Sequence, residues 1–180
     1  MYDDEIMTEA NPGKRHFVIE QVVFILLIVL SLAGIYITNF NPDDGYGYWL
    51  LMVFVFGLLS VFVAWLQSKS SEANFGAVLK AQGMHWLHTI IVVIAASFLN
   101  KSGQMTGVAA DLVILLVLGL SAMLNGYHVG WEFSLLGFFL VGCAIIIGYI
   151  PAFIWASVIL AIVIVTASFM RAFWFRVEDD

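Results

Sequence analysis

The sequence predicts an all-α fold: a polytopic membrane helix bundle of six transmembrane helices, with the N and C termini cytoplasmic. Three observations carry this reading. First, 62% of the 180 residues are hydrophobic, only 11% are charged, and the mean hydropathy is +0.99. A soluble domain carries roughly 25% charged residues, and one core of this length cannot hide so much apolar surface. Second, the apolar residues form six runs of about 20, the length a helix needs to cross about 30 Å of hydrocarbon. Third, the few basic residues gather on one side of the topology those runs imply.

Residues 1–16, "MYDDEIMTEANPGKRH", read as an acidic cytoplasmic tail ending in a turn signal at Asn11-Pro12-Gly13 and the basic pair Lys14-Arg15. The apolar run behind them is longer than a signal-peptide core and lacks a small-x-small cleavage site, so it is expected to be a retained first span. The transmembrane domain occupies residues 17–174. Its first span is roughly Phe17–Thr38. The outer loop "NFNPDDGYGY" leads to the second, Tyr48–Leu66. A polar stretch, Gln67–Gly83, follows; Phe75, Val78 and Leu79 share a face there, compatible with a short interfacial helix or with a solvated loop. The third span is Met84–Asn100. The link "KSGQ" joins it to the fourth, Met105–Asn125, and the link "NGYHVGWE" leads into the fifth, Trp131–Ile150. The sixth, Ala152–Phe173, is set off by Pro151, which has no backbone donor to continue a helix. Residues 175–180 form a second acidic tail.

With six spans, Lys14, Arg15, Lys69, Lys80, Arg171 and Arg176 share the side of the termini, and Lys101 alone lies opposite. By the positive-inside rule that side is cytoplasmic, which predicts a multi-pass protein of the cell inner membrane. All six tryptophans (Trp49, Trp65, Trp86, Trp131, Trp155, Trp174) fall near span ends, as an interfacial belt requires. Small residues recur four apart at Ser60/Ala64, Ala122/Gly126, Ala144/Gly148 and Ser157/Ala161, a spacing that lets helices approach closely. The first three spans and the last three share no motif, so the sequence offers no support for an inverted repeat.

Four features bear on chemistry. Asp111 lies six residues into the fourth span, where an ionisable group is costly and usually faces a cavity or a partner. Glu20 lies about one turn into the first span and can reach water by snorkelling. His85 and His88, three apart, fall where the third span begins, so a helix would allow them to share a face. His128 and Glu132 belong to the link at the same membrane face. Together, His85, His88, His128 and Glu132 offer enough donors for a zinc, copper or iron ion, and one histidine from each of two helices would hold a haem. A haem or metal cofactor is thus an expectation tied to these four residues.

Other classes are excluded. The net charge of −6 and the scattered cations give no nucleic-acid footprint. One cysteine, Cys143, rules out an internal disulfide or a CxxC motif. There is no phosphate loop, nucleophile elbow or HExxH, so no enzyme is expected. The readings that remain are a subunit or scaffold working with a membrane-protein partner or a second copy, a small-solute or ion transporter or channel using Asp111 and the inner His/Glu cluster, and a haem- or metal-binding electron-transfer unit.

Overall fold

The computed structural model describes residues 12–70, 75–105, 107–150 and 153–178, with side chains placed within 19–41, 44–69, 76–105, 107–150 and 153–171. Six helices run through them: α1 (Pro12–Phe40), α2 (Pro42–Ser70), α3 (Phe75–Lys101), α4 (Gly107–Val129), α5 (Trp131–Tyr149) and α6 (Phe153–Glu178). Among the described residues there is no strand. Each helix contains a stretch long and apolar enough to span a bilayer, and the chain is a multi-pass integral membrane protein. The start of α1 and the end of α6 lie at one end of the bundle, the termini end. The α1–α2 and α3–α4 junctions, the end of α5 and the start of α6 lie at the other, the far end.

The helices outrun the expected spans, and the connections shrink accordingly. The expected outer loop is almost wholly helical, with Asn41 the one residue between α1 and α2. Its N–H closes α1 on Ile37 O at 2.8 Å, and its carbonyl opens α2 by accepting from Gly45 N at 2.9 Å. Pro42 suits the first helical position, where its missing donor costs nothing. Gly130 plays the same part between α4 and α5. Its N–H bonds Gly126 O at 3.2 Å and its carbonyl accepts from Phe133 N at 3.0 Å. Its φ of 152° and ψ of 149° belong to a region open essentially to glycine alone. His128 therefore sits in the last turn of α4, not in a link.

The stretch Phe75–Gly83 corrects a second expectation. It is neither a separate surface helix nor a loop but the first turns of α3. No proline interrupts it, and a helix already nucleated by the span extends outward one bond at a time. The α3–α4 connection ends in a Schellman cap, with Gly103 at φ 74°, its N–H on Asn100 O and the N–H of Gln104 on Leu99 O. Pro151, expected to break the α5–α6 hairpin, lies outside the described residues.

Packing reveals an order absent from the sequence. Helices α1, α2, α4 and α5 form a closed ring of contacts, α1 on α2, α2 on α4, α4 on α5 and α5 on α1. Helix α3 lies against α2 and α4, and α6 lies against α5 and α1. Advancing every helix number by three maps this pattern onto itself: α1·α2 becomes α4·α5, α2·α3 becomes α5·α6, α3·α4 becomes α6·α1, and α2·α4 becomes α5·α1. Because three is odd, the second half crosses in the opposite sense to the first. The contact order is that of a three-plus-three arrangement, in which the one-residue junctions at Asn41 and Gly130 hold matching places. No motif in the sequence announces it. The pattern lives in which helix touches which, and different side chains can satisfy the same contacts.

The ring encloses an apolar centre that includes Leu27, Trp49, Met52, Phe56, Ile114, Leu118, Leu136 and Phe139, all buried. Lipid is as apolar as these side chains, so close packing rather than water exclusion must hold them together. The α4–α5 seam shows how. A Cβ on Gly137 would come within 2.5 Å of Gly119 O, and one on Gly119 would stand 3.1 Å from Gly137 O. Gly126 in turn faces Ser134, whose hydroxyl donates to Met123 O at 3.1 Å. Ser60, Ala64, Ala122, Ala144, Ser157 and Ala161 are buried as their spacing suggested, but Gly148 is exposed and touches nothing.

The tryptophan belt is only partly realised. Trp65 and Trp155 are exposed, whereas Trp49 and Trp86 are core residues. Trp49 Nε1 donates to Thr38 Oγ1 at 3.1 Å, and Trp86 Nε1 donates to Ser60 Oγ at 2.5 Å. Position along a span does not fix the face on which a side chain emerges, and a hydroxyl within reach satisfies the indole inside the bundle.

Candidate functional site: polar clusters at the two ends

At the far end, Asp111 is 2% exposed in the second turn of α4. The sequence spacing put an acid in the membrane, and the fold turns it inward. It packs where α1 ends and α2 begins. A Cβ built on Gly45 would lie 2.8 Å from Asp111 Oδ2 and 2.6 Å from Thr38 Oγ1. Glycine at 45 is therefore what lets the carboxyl group and the hydroxyl share that notch. Thr38 is buried and accepts from Trp49. Nearby, Asn41 Nδ2 donates to Asp44 Oδ2 at 2.5 Å on the exposed rim.

The termini end carries a larger network that crosses five helices. Gln67 of α2 donates through Nε2 to Glu20 Oε1 of α1 at 2.8 Å, and also to the carbonyl of Val129 at the end of α4. Gln21 Nε2 donates to Glu132 Oε1 of α5 at 3.3 Å, and Ser168 Oγ of α6 donates to Gln21 Oε1 at 3.2 Å. Glu132 is buried, Glu20 only half-buried. Arg171 lies over the Trp131 ring, 4.0 Å from its centroid, a cation–π contact that anchors α6 to the start of α5.

The two acids expected from the sequence are thus counterparts. Each lies near the start of the first helix of its half, and each is seated against the one-residue junction of the other half. Asp111 meets the α1–α2 junction. Glu20 reaches the α4–α5 junction through Gln67. Between the ends the buried face of α4 is apolar apart from Ser121. From Asp111 to Asn125 along α4 is about 21 Å at 1.5 Å per residue, and Ile114, Leu115, Leu118 and Ala122 fill the buried face between them.

The histidines separate. His85 is half-buried against α4, its Nε2 3.0 Å from Ser121 O, while Thr89 one turn on meets Ser121 Oγ at 2.8 Å. His88 is exposed on another side of α3, and His128 is exposed at the end of α4. Among the described residues no group of three or more His, Cys, Asp or Glu is placed to hold a metal ion. Glu132 faces Gln21 instead.

Sequence reasoning singled out Glu20 and Glu132 but paired neither of them. It missed Gln67, Thr38 and Ser168 as partners and Gly45 as the notch. The available signal was depth, since each lies a similar number of residues from the same end of its span. No family model matches this chain, and no curated protein or solved structure does either.

Proposed function

We propose that this protein is a small-solute or ion carrier that works by exposing its two ends alternately, with Asp111 at the far gate and Glu20, Gln67 and Glu132 at the other. One observation carries the reading. Two acids that correspond in an inverted three-plus-three bundle differ in access: Asp111 is sealed and Glu20 is half-exposed. Inverted repeats let one sequence adopt either of two related shapes, each closing one end, and carriers exploit this by rocking one half against the other. The unequal burial fits a state closed at the far end and open at the termini end. By the basic-residue count the open end faces the cytoplasm, which makes the inner membrane the expected location.

The subunit or scaffold reading is supported by short connections and acidic tails, which a carrier shares. A repeat with unequal counterpart acids favours the carrier. Haem or metal binding has weaker support, because His85 is turned toward Ser121 and away from His88.

Paired cysteine labelling tests the proposal in proteoliposomes, in a Cys143→Ser background. Thr38→Cys reports the far end and Ser68→Cys the termini end. With no gradient, the Ser68 position, buried like Thr38 but lining a cleft at the termini end, is expected to react with a polar maleimide about tenfold faster than the Thr38 position. An imposed pH or ion gradient should then raise one rate and lower the other. Rates that stay fixed under every gradient, or move together, would sink the carrier reading and leave the scaffold.

A further inference from the structure

Between α2, α3 and α4 at the termini end lies a pocket of about 220 Å³, lined by Ala64, Gln67, Ser68, Val78, Ala81, Gln82 and His128. It is smaller than the roughly 300–1,000 Å³ of sites for drug-sized ligands. Its walls carry no acid and no lysine or arginine. What marks it is Gln82. This side chain is 3% exposed, and its Oε1 has no hydrogen-bond partner among the described residues. Behind the pocket, Asn125 is 1% exposed, and neither Oδ1 nor Nδ2 has such a partner.

Asn125 follows Ser121 by one turn and precedes His128 by another, on the face of α4 that meets α3. On α3, Gln82 precedes His85 by one turn, and His85 contacts Ser121. The two amides therefore occupy the same level of the α3–α4 contact. Buried amides left unpaired are costly, and native structures keep them where something else satisfies them. Other buried polar groups near this level find partners close by, as Trp86 does with Ser60 and Thr89 with Ser121, whereas the Tyr46 and Ser157 hydroxyls, unpartnered among the described residues, lie on α2 and α6 and line no part of this pocket.

We infer that this pocket is a binding site for a small uncharged solute bearing a carboxamide- or urea-like group. An amide offers a donor and an acceptor side by side, and rotation by 180° about its last bond exchanges them. The group that complements it in either orientation is another amide, paired through two hydrogen bonds. Ser68, whose hydroxyl donates to Trp65 O, keeps lone pairs to accept a second N–H. The imidazole of His128 can donate or accept at the rim. Ala64, Val78 and Ala81 supply an apolar wall for the rest of a compact ligand. A charged solute is disfavoured, because no wall residue would offset its desolvation. The inference deepens the carrier reading by naming its solute class, but binding itself does not depend on transport.

The test is saturation-transfer NMR on the full chain in nanodiscs. The probe is nicotinamide, a water-soluble carboxamide of suitable size, with N,N-dimethylnicotinamide as the control that lacks both donors. Wild type is expected to transfer saturation to the carboxamide and about tenfold less to the control, as sites built on buried hydrogen bonds reject analogues lacking them. Gln82→Leu should abolish the transfer while leaving Tm equal to wild type or higher, since it removes a buried amide whose Oε1 is unpaired among the described residues. Ala81→Phe, a change at an exposed wall position, should obstruct the pocket without touching Gln82. Equal signals from the two probes, or full binding retained in either variant, would overturn the proposal. So would a large fall in Tm for Gln82→Leu together with unchanged binding in Ala81→Phe, which would make Gln82 structural. Occupancy is read here without flux, so its failure leaves the cysteine-pair result standing, and the reverse holds too.

Discussion

The two halves of this bundle, α1–α3 and α4–α6, share a plan and differ in finish. Each opens with a long helix carrying an acid near its start, turns on a single non-helical residue, and lays its third helix against the ring. Yet Asp111 is sealed where Glu20 is half-open, Gly130 takes a conformation reserved for glycine where Asn41 makes an ordinary cap, and α3 carries its tryptophan inward where α6 carries one outward. On the carrier reading, a shared plan with unequal finish is what an inverted bundle shows when it rests in one of two related states. The halves need not have the same sequence. They need only offer two packings of similar free energy.

The largest effect should come from neutralising the sealed acid. Asp111 is buried where an ionised carboxylate costs about 2.5–3.5 kcal/mol on insertion scales before its own contacts are counted. Asp111→Asn removes the charge from the closed far end. The closed state is then favoured by at most about a hundredfold, since each 1.4 kcal/mol is a factor of ten. The expected outcome is labelling of Thr38→Cys suppressed in every gradient, with Tm raised. Glu20→Gln, at a half-exposed counterpart that keeps its Gln67 contact, should shift the rates only a few-fold. Equal effects from the two substitutions would break the idea that the acids are unequally finished.

The junctions come next. Gly130→Ala forces a Cβ into a backbone region that costs about 1–3 kcal/mol for any other residue. Asn41→Ala keeps the backbone bonds of its junction and loses only the side-chain bond to Asp44, worth about 0.5–1.5 kcal/mol and toward the low end at an exposed rim. Thermal unfolding in detergent should therefore rank Gly130→Ala below Asn41→Ala. If the order reverses, the α4–α5 junction is not held in the glycine-only conformation in the membrane.

How much of this could be read beforehand follows from what each signal encodes. Span count was legible because lipid imposes a length and a polarity that side chains must obey. Asp111 was legible for the same reason, as an exception to that rule. The ends of helices were not: nothing in "NFNPDDGYGY" says that Pro42 starts a helix at once, because the decision rests on one residue sharing its N–H and carbonyl between two helices. The histidine cluster was legible only as a shared depth. His85 and His88 differ by three positions, enough to turn one toward Ser121 and leave the other outside. The inverted packing was not legible at all, since it is a property of contacts and no motif repeats with it.

Tryptophan shows the smallest difference and the most instructive one. Trp86 of α3 and Trp155 of α6 stand near span ends, and the sequence assigns both to the interface. The fold buries Trp86 with its indole bonded to Ser60 and its ring along Gly57, while Trp155 stays exposed. Trp86→Phe removes a bond worth about 0.6 kcal/mol on average inside a membrane, and it leaves the Ser60 hydroxyl donating to Gly57 O. A fall in Tm of a degree or so is expected, about what that free energy gives in a chain of this size. Trp155→Phe should leave Tm unchanged and alter only the depth reported by quenching with brominated lipids. If Trp155→Phe proved the more destabilising, the exposed face of α6 would be covered by something other than lipid. The two halves would then differ in what surrounds them as well as in how they are closed.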